Sequence, residues 1–287
     1  MFKPMFRIIM IVALSLLVIW WLNTPFLTQK KDTRPIIVVT TPILKDLTHA
    51  LLGPDARVVA LQPAPPVNAK QIIESAHLII MHGTNLDGPY TKLKKETTQV
   101  PHLIRITDIP ELLADTPYYW MAIDIWMKQT YYMHHQLKAI FPNQRSEINY
   151  RNTTYLAALQ TRYQTMRQQL RSSHVNRPPI ATTHPSFTPF LAPFNLKSMV
   201  ISLTSNNRNH HANIITELKS QNISMIHPNH NIPSPGLNAL VRDALAQGVA
   251  LTIAPPVMVE LSDSGIPPNG EGILRLMDAN LNAISSY

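Results

Sequence analysis

The chain is 287 residues long, 45% hydrophobic and 15% charged, with a formal net charge of +8. That hydrophobic share is enough for a packed core and excludes wholesale disorder, and the length allows one large domain or two lobes. Cysteine is absent and neither G-x-G-x-x-G nor G-x-x-x-x-G-K occurs, which excludes disulfides, thiol nucleophiles, cysteine-based zinc or iron–sulfur sites and phosphate-cradling loops.

In chain order, Lys3 and Arg7 precede an uninterrupted apolar run over residues 8–22. As α-helix it spans about 22 Å, against a hydrocarbon core of about 30 Å. Phe26 and Leu27 extend it, Trp20 and Trp21 suit a membrane interface, and no small-x-small cleavage site follows. Residues 1–34 are therefore expected to be an uncleaved signal anchor with a short linker, placing the body outside the cytoplasm. From residue 35 short apolar runs alternate with amphipathic ones. Strands are predicted over 35–41, 57–61, 77–81 and 103–106, with helices over 42–52 and 69–75. The polar stretch 143–173 has no Gly or Pro, and Leu156, Leu159, Tyr163, Met166 and Leu170 recur in it at helical steps. It predicts one long helix, a strut that restrains closure. Strands are then expected over 179–183, 198–202, 223–226 and 249–253, and helices over 209–221, 236–247 and 271–284. The predicted fold is α/β. Two lobes, 35–141 and 175–287, each carry a mainly parallel sheet flanked by helices and are joined by the long helix at 142–174.

His82, His184 and His227 each follow a predicted strand, and Asp263 lies in the loop before the last helix. In open parallel sheets such positions face the binding crevice, and imidazole with carboxylate suits Zn²⁺ or Mn²⁺. No H-E-x-x-H, EF-hand loop or G-x-S-x-G is present. Neighbouring helical residues point about 100° apart, so the pairs His134–His135 and His210–His211 are expected on the surface rather than on one ion. His227 and His230, in H-P-N-H, are close enough in sequence to chelate. Glu260 with Asp263 is the one tight acidic grouping near a cleft. Ser262 and Ser264 flank Asp263 without a sign of an oxyanion hole, and an enzyme is not expected. Lys92, Lys94 and Lys95 form the densest basic cluster, with no interleaved aromatics, so no nucleic-acid partner is expected.

Five stretches, in order, resemble the metal-specific solute-binding proteins of zinc and manganese ABC transporters. PIIVVTTPILKDLTHALLGPDARVVAL is similar to that family's opening strand, helix and G-x-x-x-V-x-x-L. SAHLIIMHGTNLDGPYTKL resembles its A-D-L-I-x-x-N-G-x-x-L-E, TPYYW its D-P-H-x-W, and ATTHPSF its T-x-H-x-A-F. LSDSGIPPNGEGILRLMDANLNAI resembles its ending. The resemblance implies an extracytoplasmic, monomeric protein that captures Zn²⁺ or Mn²⁺ between its lobes and passes it to a membrane permease. The family's ligands are three His and one carboxylate. Here the first has no counterpart beyond Gln62 and Asn68, the second corresponds to Tyr118, a poor ligand as a neutral phenol, and His184 and Asp263 are kept. His82 and His227 stand where the family often has Asn and Glu. A rearranged site of His82, His184, His227 and Asp263 is one expectation, with Tyr118 and Trp120 lining the cleft. The others are a degenerate relative that binds proteins at the membrane, and a metal-dependent hydrolase using Glu260 as base.

Overall fold

The computed structural model describes residues 10, 13–15, 32–93, 101–109, 118–171, 177–203, 208–230, 234–262 and 270–285. The chain divides into two compact units, Met1–Arg34 and Pro35–Tyr287. In the first, residues 10 and 13–15 are helical, and the rest of the apolar run 8–22 lies outside the described residues. Among the described residues no helix is long and apolar enough to cross a membrane.

The second unit opens with β1 (Ile36–Val39), α1 (Pro42–Leu52), β2 (Arg57–Ala60), α2 (Ala69–Glu74), β3 (Leu78–Met81) and β4 (His102–Arg105). β3 is buried along its whole length and β1 nearly so, as expected of parallel strands covered on both faces. The sheet order is β2-β1-β3-β4, all parallel, with Ile37 between Val58 and Leu78. Thr41 caps α1 through its hydroxyl, Pro42 occupies the first turn, and Leu44, Leu47 and Leu51 are buried beneath.

An antiparallel pair follows, α3 (Ile123–Ile140) and α4 (Arg145–Arg171). At 27 residues α4 is about 40 Å long. Leu159, Met166 and Leu170 of the expected stripe are buried, whereas Leu156 and Tyr163 are only partly covered. α4 packs along α3 and α1, and the Trp126 indole donates to Tyr155 Oη across the pair at 3.1 Å.

β5 (Ile180–Thr182), β6 (Ser198–Val200), α5 (Arg208–Ser220), β7 (Met225–His227), α6 (Leu237–Ala246) and β8 (Thr252–Ile253) form the second half. Its sheet order is β6-β5-β7-β8, again parallel. The expected strand over 249–253 pairs only at its last two residues, because Leu251 and Val249 pack into the apolar cluster behind the sheet instead of extending the ladder. The last helix, α7 (Gly272–Ile284), was expected with the second lobe but packs on α4 and α1. One apolar core runs continuously from Ile37 and Leu44 through Trp126 and Leu159 to Phe187, Phe190, Val259 and Ile273.

Candidate metal centre

Both sheets reverse their winding between their first and third strands, and a crevice opens at such a switch point, beyond the strands' carboxyl ends. In the first sheet these ends deliver Thr40 and Thr41 from β1 and His82 from β3. The turn after β3 winds around the buried Asp87. Its carboxylate accepts from the N–H groups of His82 (2.8 Å), Gly83 (2.7 Å) and Thr84 (3.2 Å) and from Thr40 Oγ1 (2.6 Å). Four donors compensate the buried charge and fix the His82 backbone.

The His82 side chain is fully buried. Its Nε2 lies 2.7 Å from Thr41 Oγ1, and its Nδ1 is in close contact with the Tyr119 hydroxyl. Thr41 Oγ1 already accepts from Leu44 N–H as the cap of α1. The Thr41 hydroxyl can still donate while it accepts, so the two hydroxyls hold the neutral ring in either tautomer, one of them donating to it and the other accepting from it. Burial pushes the His82 pKa down to about 4, against the opposing pull of Asp87, and burial raises the Tyr119 phenol well above its usual value. With both ring nitrogens engaged, this imidazole suits the wall of the cleft rather than the first coordination sphere expected of it.

In the second sheet, β5 delivers His184 and β7 ends at His227. His184 is half-buried and caps the turn Pro185–Phe187, its Nδ1 accepting from Ser186 N–H at 3.2 Å. An ion bound through this ring therefore displaces the capping bond, either directly at Nδ1 or because coordination by Nε2 places the ring proton on Nδ1. His227 is buried, and burial lowers its pKa while the bond to Pro255 opposes the shift. Its Nδ1–H donates to Pro255 O at 2.8 Å, which makes Nε2 the lone-pair nitrogen, the tautomer that metal ligation uses.

A string of rings joins the two halves. His82 and Trp120 have centroids 5.5 Å apart, Trp120 and Tyr118 5.5 Å, and Tyr118 and His184 5.7 Å. Two aromatic rings therefore stand between the two imidazoles along this string. Tyr118 holds φ 60, ψ 30, the left-handed region that side chains other than glycine rarely enter. Burial first and the nearby Glu260 second push its phenol pKa up. It stays neutral at pH 7, which makes it a poor ligand.

Beside Trp120 lies a cleft of about 360 Å³ with Thr41, Gln62, His82, Glu260 and Ser262 in its lining. Residues 260–262 form a lip facing the ends of β1, β2 and β3. Gln62 donates from Nε2 to Leu86 O at 3.1 Å, leaving its amide oxygen as an acceptor. A wider, open groove of about 760 Å³ between α3 and α4 has Lys128 and His135 but no carboxylate in its described lining.

Among the described residues no three His, Asp or Glu side chains group closely enough to hold an ion. His82, His184 and His227 are thus not a preformed triad, and Asp263, the fourth expected ligand, lies outside the described residues. The paired histidines differ from expectation, since one of each pair is buried. His134 Nε2 meets Asn149 Oδ1 at 2.8 Å, linking α3 to α4, and His211 Nδ1 meets Asp243 Oδ2 at 2.5 Å, linking α5 to α6. His230 is exposed. Sequence reasoning missed Thr41 and Tyr119, the two hydroxyls that turn the His82 ring.

A family model described as ZnuA, the periplasmic component A of a zinc-uptake complex, matches residues 37–287. Solved structures agree in fold. The periplasmic zinc-binding protein TroA from Treponema pallidum aligns with a TM-score of 0.71 at 16% identity, over 87% of this chain and 99% of that one. The periplasmic metal-binding protein of Candidatus Liberibacter asiaticus aligns in its Cd-bound form with a TM-score of 0.73 at 15% identity, and in its Mn-bound form with 0.72 at 16%. Each covers 88% of this chain and 99% of that one. No curated protein matches the chain.

Proposed function

The chain belongs to the ZnuA family of periplasmic zinc-uptake components, and from that premise we propose that it captures a divalent cation, Zn²⁺ or Mn²⁺, between its two lobes, beside the cleft at the first sheet's strand ends. The cation is cargo, bound reversibly and passed to the permease of an ABC transporter, with no covalent chemistry. Residues 8–22 tether the protein to the cytoplasmic membrane, so that capture takes place in the periplasm beside the permease. The observation that carries this reading is the cleft itself. It opens at the carboxyl ends of β1, β2 and β3, with Glu260 on its lip and Gln62 in its lining, and a ring string links its wall to His184.

The donors proposed are His184, His227 and Asp263, with Glu260 and the Gln62 oxygen completing the sphere and His82 supporting the wall. Nitrogen and oxygen donors of this kind accept both borderline Zn²⁺ and harder Mn²⁺. A metal bound only by the folded state raises its stability by RT ln(1 + [L]/Kd), about 2.7 kcal/mol at a hundredfold excess over Kd. Chelator-treated residues 35–287 should therefore melt several degrees higher when Zn²⁺ or Mn²⁺ is restored, and His184→Ala should abolish the shift. No shift with either metal would refute ion capture.

A further inference from the structure

The lip of the cleft follows β8 in sequence, yet its hydrogen bonds lead elsewhere. The second sheet's backbone pairing continues to Val257, whose N–H donates to Pro228 O (2.9 Å) and whose carbonyl accepts from His230 N–H (2.8 Å). One residue later the partners change. Met258 N–H donates to Asn280 Oδ1 and Met258 O accepts from Asn280 Nδ2, each at 2.7 Å. Val259 O accepts from the Trp120 indole at 2.8 Å. Asn280 lies on α7 and is fully buried, so both of its amide functions are used on a single backbone residue.

α7 is in turn held by the first sheet's own helix. Asp46 of α1, also fully buried, accepts Gly272 N–H (2.8 Å) on one oxygen and Ile273 N–H (2.9 Å) on the other. These are leading amides of α7, which have no partner within the helix. A Cβ at Gly272 would lie 2.7 Å from Asp46 Oδ1 and 2.8 Å from Leu261 Cδ1, so α1, α7 and the lip pack closely around this glycine.

Resting on the cation-capture reading above, we propose that Asp46 and Asn280 are positioning residues that fix the lip, and with it Glu260, to the first lobe through α7. Glu260 then moves with Trp120 and Gln62, while His184 and His227 move with the second sheet. The change of attachment falls between Val257 and Met258. Moving the two sheets apart then carries the carboxylate lip away from the imidazoles and disassembles the donor set in one motion.

The test compares the full chain with Asn280→Asp, which sets two acceptors face to face at Met258 O, and with Asp46→Asn, which turns an amide donor toward a backbone N–H. Indole N–H exchange is read by NMR on metal-free protein labelled at tryptophan. Trp120 reports the lip, and Trp126, bonded to Tyr155 within the helix pair, reports the rest of the fold, most directly in Asn280→Asp because Tyr155 also feels the Asp46 charge. The expected result is at least tenfold faster exchange at Trp120 with Trp126 unchanged, and at least tenfold weaker Zn²⁺ binding in the same variants. Equal acceleration at both indoles, or a loosened Trp120 with unaltered Zn²⁺ affinity, overturns the proposal. If Asn280→Asp does not fold, Asp46→Asn tests the same connection from the other end of α7. If the unaltered protein binds no metal, the capture reading fails, and the indole pair alone decides whether the lip belongs to the first lobe.

Discussion

Protonating His82 should unfold the wall of the cleft, and the cost follows from the geometry. The ring is fully buried between Thr41 and Tyr119, and burial holds its pKa near 4, against about 6.5 in an unfolded chain. A depressed folded pKa means that the unfolded state binds more protons below pH 6.5. Stability is therefore whole above that value and is lost as pH falls toward 4. Linkage over pH 7.5 to 4 gives a loss of about 3 kcal/mol from this one group. The assay is urea unfolding of residues 35–287 at half-unit pH steps, beside His82→Asn. Every other titrating group, including His134 and His227, is present in both proteins and cancels in the difference. The variant starts less stable at pH 7.5, and the gap should close by about 3 kcal/mol at pH 4. A gap that does not change with pH would refute the buried neutral imidazole.

Asp46 should show the opposite sign. Burial lifts its carboxyl to about 6, overcoming the two amide bonds that favour the ionised form. Its protonated form therefore favours the folded state, and the wild type should gain about 2 kcal/mol on Asp46→Asn as pH falls from 7 to 4, read from the same urea series. Gly270 sits at φ +74, and an added Cβ would lie 2.4 Å from Ala50 Cα. Gly270→Ala should cost more than about 2 kcal/mol by chemical denaturation, and a neutral result would show that α1 and α7 are not so closely packed. Glu260 is exposed. Glu260→Gln should leave the melting temperature within about 1 °C while weakening Zn²⁺ binding several-fold by calorimetric titration, whereas unchanged affinity would remove this carboxylate from the donor set.

The parts of the fold legible in sequence were those whose burial is set locally. IIVV and LIIM are covered on both faces and can form only inner strands, and Thr41-Pro42 announces a helix start. The second strand set was read equally well until Val249 and Leu251, where an apolar run signalled burial but not pairing. α3 was readable in retrospect, since Ile123, Trp126, Thr130, Met133 and Leu137 are buried at helical steps. The candidate site was legible only as positions. Strand ends predicted where His82, His184 and His227 would emerge, but the direction of each ring depends on distant partners. His82 is turned by Thr41 and Tyr119, 41 and 37 residues away, and His227 by Pro255, 28 residues away. No local pattern encodes such contacts.

The two switch points also divide the chemistry unequally, and this bears on which ion is favoured. The first sheet's imidazole has both nitrogens occupied, so that side of the cleft offers oxygen from Gln62 and from the lip. In the donor set proposed above, the second sheet supplies the nitrogen, from His184 and His227. Affinity for first-row divalent ions climbs from Mn²⁺ toward Zn²⁺ chiefly where nitrogen donors dominate, and oxygen-rich spheres flatten that rise. A Tyr at 118, where the resemblance implies an imidazole, and an amide oxygen at Gln62 should therefore lower Zn²⁺ affinity more than Mn²⁺ affinity. Competitive titration of the two metals on one chelated sample measures the ratio directly. Gln62→His should add a nitrogen to the first lobe and widen the preference for Zn²⁺ about tenfold or more, a change of at least about 1.4 kcal/mol between the ions. An unchanged ratio would mean that Gln62 does not reach the ion and that the second sheet alone sets its selectivity.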